Sequence, residues 1–172
     1  VHALQARIRP HFLFNSMNTI ASLIRKRPQD AERAVEDLSD LFRAALGARE
    51  TLATLGEELD LIGHYLRIEG LRLGDRLRLD LDLDQLPRDL PLPALLLQPL
   101  VENAVYHGIQ RLPEGGTLSI RGTRENGRVE IVDVDFIRAD GTAVLVRVAV
   151  AKAPFHAAAG EPRRKDLGMV FA

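Results

Sequence analysis

The first third of the chain is patterned for helices. Leu4, Ile8, Phe12, Ile20, Leu23 and Ile24 recur at three- and four-residue steps, which predicts an amphipathic helix. Pro10 falls inside that pattern, where its missing amide donor predicts a kink. Pro28 with Asp30 marks a break and a new start. A second helix is predicted from Ala31 to Leu46, with Ala34, Val35, Leu38, Leu41, Phe42 and Ala45 on one side and Gly47 as its stop. Thr54 stands three residues before Glu57, a capping-box pattern. It predicts a third helix from about Leu55 to Leu73, with Leu59, Ile62, Leu66 and Glu69 near one face and Gly74-Asp75 at its end.

The pattern then changes period. Leu77, Leu79, Leu81 and Leu83 alternate with Arg78, Asp80 and Asp82, as in a half-buried strand. Pro87, Pro91 and Pro93 predict a stiff connection, and Ala94 to His107 an apolar helix closed by Gly108. Gly115-Gly116 opens a strand from Thr117 to about Thr123. Asn126-Gly127 predicts a hairpin turn, Val129 to Ile137 the return strand, Asp140-Gly141 a further turn and Thr142 to Ala151 a third strand. From Lys152 the periodicity fades, and Arg163-Arg164-Lys165 reads as a solvated charge run. The fold class expected is α+β, with a helical front and a mixed helix-and-strand back that meet between Leu73 and Leu77.

Composition narrows the function classes. The 172 residues suit one compact domain, or one with a helical extension. Formal net charge is −1, so no overall basic field invites nucleic acid. Without cysteine there is no disulfide, thiolate metal site or Cys nucleophile. No apolar run approaches the roughly 20 residues of a membrane helix. The chain starts at Val1 without a signal-peptide pattern, and we expect it to be a piece of something longer. The apolar stripes of the front helices exceed what the small back half can cover, so a homodimer is expected. The alternative is that these helices pack only on one another within a chain.

Two constellations could carry chemistry. Pro10-His11-Phe12 places an imidazole on a helix beside aromatic rings, and a neutral imidazole is a competent nucleophile. The bland alternative is a helical histidine near a kink. In Gln98-Pro99-Leu100-Val101-Glu102-Asn103-Ala104-Val105-Tyr106-His107-Gly108, helical spacing turns Val101, Ala104 and Val105 to a core and sets Asn103 and His107 on another face. An amide oxygen there can hold Mg²⁺, which keeps water and phosphate oxygens as its other ligands. Glu102 can orient a water or a nucleophile. A buried helix with a polar edge is the other reading. His2, His64 and His156 receive no role.

Read together, these strings resemble a known family. Pro10-His11-Phe12-Leu13-Phe14-Asn15 is similar to the phosphoacceptor box of the LytS-like sensor histidine kinases, P-H-F-L-F-N. Gln98 to Gly108 resembles their N-box, from the ATP-binding fold shared with gyrase and MutL. Between them, Glu57-Glu58-Leu59, Tyr65-Leu66-Arg67-Ile68-Glu69 and Arg72-Leu73-Gly74-Asp75-Arg76-Leu77 resemble the family's E-E-L, Y-L-x-I-E and R-x-G-D-R-L. The resemblance covers roughly residues 3 to 131, and Tyr106, where many relatives have Lys, points to AlgZ/FimS-type members. It implies a helical dimerisation and phosphoacceptor region over 1–74. An incomplete Bergerat-type (GHKL) α/β sandwich with a mixed sheet would follow over 75–151, and an atypical tail over 152–172. It implies autophosphorylation of His11 from ATP with Mg²⁺ at Asn103, supported by Glu102 and His107. Transfer to an Asp of a response regulator, LytTR-type in expectation, would follow, without direct nucleic-acid contact. Membrane helices upstream of Val1 would hold it at the cytoplasmic face of the bacterial inner membrane.

The resemblance breaks after the second sheet strand. The family continues with D-x-G-x-G and a glycine-rich lid, whereas Asp133 and Asp135, the candidates for the adenine-binding Asp, are not followed by glycine. Gly141 to Val148 resembles the family's last strand, which suggests that the lid and its helix were skipped. The other reading is that everything past about Val132 is unrelated sequence. Either way weak or absent ATP binding is expected of this chain. The competing function is then a degenerate, non-catalytic dimeric module that docks a response regulator.

Overall fold

The computed structural model describes residues 9–47, 52–84, 86–125, 128–138, 143–152 and 167–171, with side chains described as far as residue 122. Leu4, Ile8, the turns predicted at 126–127 and 140–141, the basic run at 163–165, His2 and His156 lie outside the described residues. The chain divides into two compact units. One comprises residues up to Asp75 together with Arg88–Pro99, the other Arg76–Pro87 together with residues from Leu100 on.

In the first unit three helices pack on one another: α1 (Pro10–Leu23), α2 (Pro28–Gly47) and α3 (Leu55–Leu73). Pro10 does not kink α1 but opens it. Arg9 is extended at φ −65 and ψ 124, as a residue before proline tends to be, and the lost N–H belongs to a first turn that had no partner for it. Helix α2 buries Ala31, Ala34, Leu38, Leu41 and Ala45, while Val35 is left exposed. Helix α3 is buried along most of its circumference through Leu55, Ile62, Tyr65, Leu66, Ile68 and Leu73. The capping box is formed: the Glu57 N–H donates to Thr54 Oγ1 at 3.2 Å, and the Thr54 N–H to Glu57 Oε2 at 2.7 Å. A short strand β1 (Leu52–Thr54) before α3 pairs antiparallel with β3 (Pro91–Pro93), where only a stiff connection was expected.

A polar cluster crosses the α2–α3 interface. Asp37 is 4% exposed. Arg67 donates to both its oxygens, from Nε at 2.9 Å and Nη2 at 2.6 Å, and His64 Nδ1 lies 2.6 Å from Oδ1. A buried carboxylate needs such partners to stay charged.

In the second unit a mixed five-stranded sheet has the order β2 (Leu77–Asp82), β4 (Gly116–Glu125), β5 (Arg128–Arg138), β6 (Ala143–Lys152), β7 (Leu167–Phe171). The β2–β4 pair is parallel and the others antiparallel. Strand β2 forms as expected, but as an edge. Leu77 is buried, whereas Leu79 and Leu81 are exposed beside the buried Leu118 and Ile120 with which they are in register. Strand β7 falls where the pattern had faded.

The apolar helix is shorter at its start and longer at its end than its pattern predicted. Ala94–Leu97 are turns and bends, with Leu95 at φ 58, and α4 begins at Gln98. After Asn103 the backbone widens to a π-helix, Ala104–Ile109, which runs past Gly108. The Gln110 N–H donates to Val105 O at 2.9 Å, five residues back. The four-residue spacing that aligned Asn103 with His107 is an α-helical rule and loses its basis across this turn. The π turn packs against β4 and β5. Beyond it, Arg76 Nη2 donates to the carbonyls of Gln110 and Leu112 at 3.1 and 2.7 Å.

Two predictions follow from this packing. Asp37→Asn should cost about 2 kcal/mol, the usual size of a buried charge-assisted pair. Burial alone would raise the Asp37 pKa, but Arg67 and His64 outweigh it and hold it below its ordinary 3.8. The stability it contributes is therefore fully present above 3.8 and is lost as pH falls through the lowered folded value. Thermal melts should show the gap between wild type and variant closing only below about pH 3.8. Gly115→Ala should cost at least about 3 kcal/mol. The residue sits at φ +72, and an added Cβ would lie 2.0 Å from Arg76 O. Denaturant titration measures it.

Candidate functional site

His11 is the second residue of α1 and belongs to the first unit. Its helix shows three faces. Phe12, Ser16 and Leu23 are buried, and the Phe12 ring lies 5.0 Å from that of Tyr65 on α3. Phe14, Met17, Ala21 and Ile24 follow at three- and four-residue steps and are exposed. His11, Asn15, Asn18 and Ser22 form a polar stripe beside them. One turn along, Asn15 Nδ2 lies 3.1 Å from His11 Nδ1. That contact occupies one ring nitrogen and makes the two nitrogens inequivalent. Anchored by Phe12 and exposed itself, His11 can be approached from solvent while its helix is held.

Glu102, Asn103 and His107 belong to the second unit. Glu102 is buried, and Asn103 is exposed as the last residue of α4. His107 is exposed within the π turn, its ring 4.8 Å from that of Tyr106 and edge-on to it. Arg111 stacks over the Tyr106 ring at 5.7 Å. Asp133 and Asp135 lie in β5, in register with Arg147 and Leu145 of β6, and their side chains are outside those described. Among the described residues no group of three or more His, Cys, Asp or Glu side chains could hold a metal ion. No helix among them is long and apolar enough to cross a membrane.

Sequence reasoning assigned no role to three buried acids on or against α3. Asp37 sits with Arg67 and with His64, which had been left without a role. Glu69 is paired with Arg72. Its burial raises its pKa, and Arg72 and, more weakly, His11 pull it back. Glu58 is 1% exposed, and its two oxygens accept the N–H groups of Leu95 and Leu97 at 2.6 and 2.9 Å. Burial raises its pKa against the pull of these backbone donors. The signal for Glu58 and Glu69 lay in helical spacing: Glu58 shares a face with Leu55 and Ile62, and Glu69 with Tyr65, Leu66 and Leu73.

Comparison with known proteins places this geometry. Residues 1–77 match the family model described as histidine kinase. The chain is 38% identical over 125 residues to the sensor histidine kinase BtsS of Escherichia coli (strain K12), covering 73% of this chain and 22% of BtsS. It is 36% identical over 155 residues to the sensor histidine kinase YpdA of the same strain, covering 90% of this chain and 27% of YpdA. It is 35% identical over 126 residues to the sensor histidine kinase/phosphatase LytS of Staphylococcus aureus (strain N315), covering 73% of this chain and 22% of LytS. The chain thus spans 22% to 27% of the length of these relatives. With a histidine kinase model over its helical part and sensor kinases matching most of its length, the chain belongs to the LytS-like sensor histidine kinase family.

Proposed function

We propose that this chain is the phosphoacceptor and dimerisation part of a two-component sensor kinase, with His11 as the residue that is phosphorylated. The observation that carries this reading is His11 itself: solvent-exposed, fixed in place by the neighbouring Phe12, and contacted at Nδ1 by Asn15. In the first step the other ring nitrogen, Nε2, attacks the γ-phosphorus of ATP from the tautomer whose proton sits on Nδ1, with the Asn15 amide turned so that its Oδ1 accepts from that N–H. A P–N bond forms, the bond to the bridging oxygen breaks, and ADP leaves with the electron pair. In the second step an Asp carboxylate of a response regulator, LytTR-type in this reading, attacks the same phosphorus, and the P–N bond returns its electrons to the imidazole. Both steps need positioning and charge neutralisation above all.

Asn103, exposed at the end of α4, carries an amide oxygen. That donor set fits a magnesium ion that takes its remaining ligands from water and phosphate oxygens. Bound there, the ion would neutralise phosphate charge. Glu102 and His107 would orient groups around it, and Asp133 or Asp135 would receive the adenine amino group. The second unit would then be a GHKL-type nucleotide domain. The exposed stripe of Phe14, Met17 and Ile24, each more than half exposed, supports a two-fold helical seam between copies. Anchorage at the cytoplasmic face of the bacterial inner membrane, through segments outside this chain, completes the reading.

A second reading has its own support. Strand β5 passes through Asp133 and Asp135 and pairs with β6 from Ile137↔Ala143, so five residues connect the positions where a lid and helix would be inserted. That favours a non-catalytic dimeric module which docks a regulator. Incubation with labelled Mg²⁺-ATP separates the two. Acid-labile label on wild type and none on His11→Ala supports the kinase. No label, no calorimetric ATP binding and a dimeric mass by light scattering support the module. In either case Met17→Glu should shift the scattering mass from dimer toward monomer, and an unchanged mass would remove the stripe from the interface.

A further inference from the structure

We propose that Glu58 is a clamp that sets where α4, the helix carrying Glu102 and Asn103, begins. Adjacent acids at the start of α3 have opposite tasks. Glu57 faces solvent and closes the capping box. Glu58, about a hundred degrees round the helix, is buried and spends both carboxylate oxygens on the backbone of Leu95 and Leu97.

The surrounding bonds show that the loop and the helix start are built as one piece. The Leu55 and Gly56 N–H groups, which an isolated helix leaves without partners, donate to Leu90 O and Arg88 O, both at 2.8 Å. Arg88 Nη2 returns a bond to Gly56 O at 3.2 Å and reaches Asp60 Oδ1 at 2.7 Å. A Cβ on Gly56 would lie 3.1 Å from Arg88 O, so glycine permits this approach. Glu58 continues the attachment to Leu97, and α4 starts at the next residue. Pro99, second in α4, brings no N–H of its own and so leaves no orphan donor at its position in the first turn.

Leu95 carries the cost. It is the one described non-glycine residue at positive φ, 58°. A leucine in this left-handed region is strained and persists where its surroundings impose the conformation. The Glu58 oxygen 2.6 Å from its N–H is the group that imposes it. Glu58 is therefore a positioning residue acting through backbone. Its bearing on phosphoryl transfer rests on the functional reading above, but the clamp itself does not.

Native-state amide exchange on the whole chain tests it without nucleotide, so its failure is distinct from failure of the kinase reading. Glu58→Gln keeps the shape but turns an amide N–H₂ toward one of the two donors. It should speed exchange at Leu95 and Leu97 by about tenfold or more, extend into residues 101–103, and leave α1 and α2 within about twofold. Leu95→Gly should raise the melting temperature of wild type and raise that of Glu58→Gln by clearly less, since a released loop holds no strain to relieve. Unchanged exchange at Leu95 and Leu97, a uniform rise across all three helices, or additive melting shifts would overturn the clamp. Should Glu58→Gln not fold, wild type still decides. Leu95 and Leu97 must be among the slowest-exchanging amides of residues 88–99, and Leu95→Gly must stabilise; failure of either overturns it.

Discussion

A carboxylate with no water beside it must find donors elsewhere, and much of the first unit is arranged around that requirement. Glu58 cannot be solvated where α3 puts it, so backbone N–H groups of the 95–97 loop do the work of water. The same contact explains why residues far apart in sequence share one unit. Arg88–Pro99 joins the helices because α3's first turn has donors and a carboxylate to satisfy, and that segment supplies the complementary groups. Strand pairing between β1 and β3 and the Arg88–Asp60 pair reinforce an attachment whose centre is the buried acid.

Helix α1 shows how one short segment can divide its tasks. Helical geometry gives it a face for the core, a face of exposed apolar side chains and a polar stripe with His11. The chemistry proposed for His11 needs an exposed imidazole on a support that does not move. Phe12 against Tyr65 meets the second need without covering the first. Pro10 contributes by starting the helix cleanly at the residue before the histidine. The second unit has a different kind of precision. There the backbone changes from α to π pitch immediately after Asn103, and Arg76 pins the exit of that turn through two carbonyls. Widened turns of this kind accompany functional sites often enough to fit the reading of this segment.

Where an element's signal is local, the sequence predicted it well. The Thr54–Glu57 box placed the start of α3, and Gly74 its end, because capping chemistry depends on residues within one turn. The alternation from Leu77 identified β2 as a strand, and the strings around His11 and Asn103 identified the family. The sequence also named His11, Asn103, Glu102 and His107 as the residues to inspect. It erred where the neighbours of a residue decide its state. Pro10 was read inside a helix because apolar periodicity continued upstream, while the backbone before a proline favours extension. Leu79 and Leu81 were expected against a core, and an edge position left them exposed.

What the sequence determined by itself were the periods, the caps and the chemical inventory, since these follow from side chains a few residues apart. What only tertiary structure decided were the partners of the buried charges. Asp37 meets Arg67 thirty residues on, and Glu58 meets the Leu95 and Leu97 amides 37 and 39 residues on. No local rule reaches that far: a buried acid is tolerable only when a distant segment brings its donors, and the folding of the whole unit determines which segment that is.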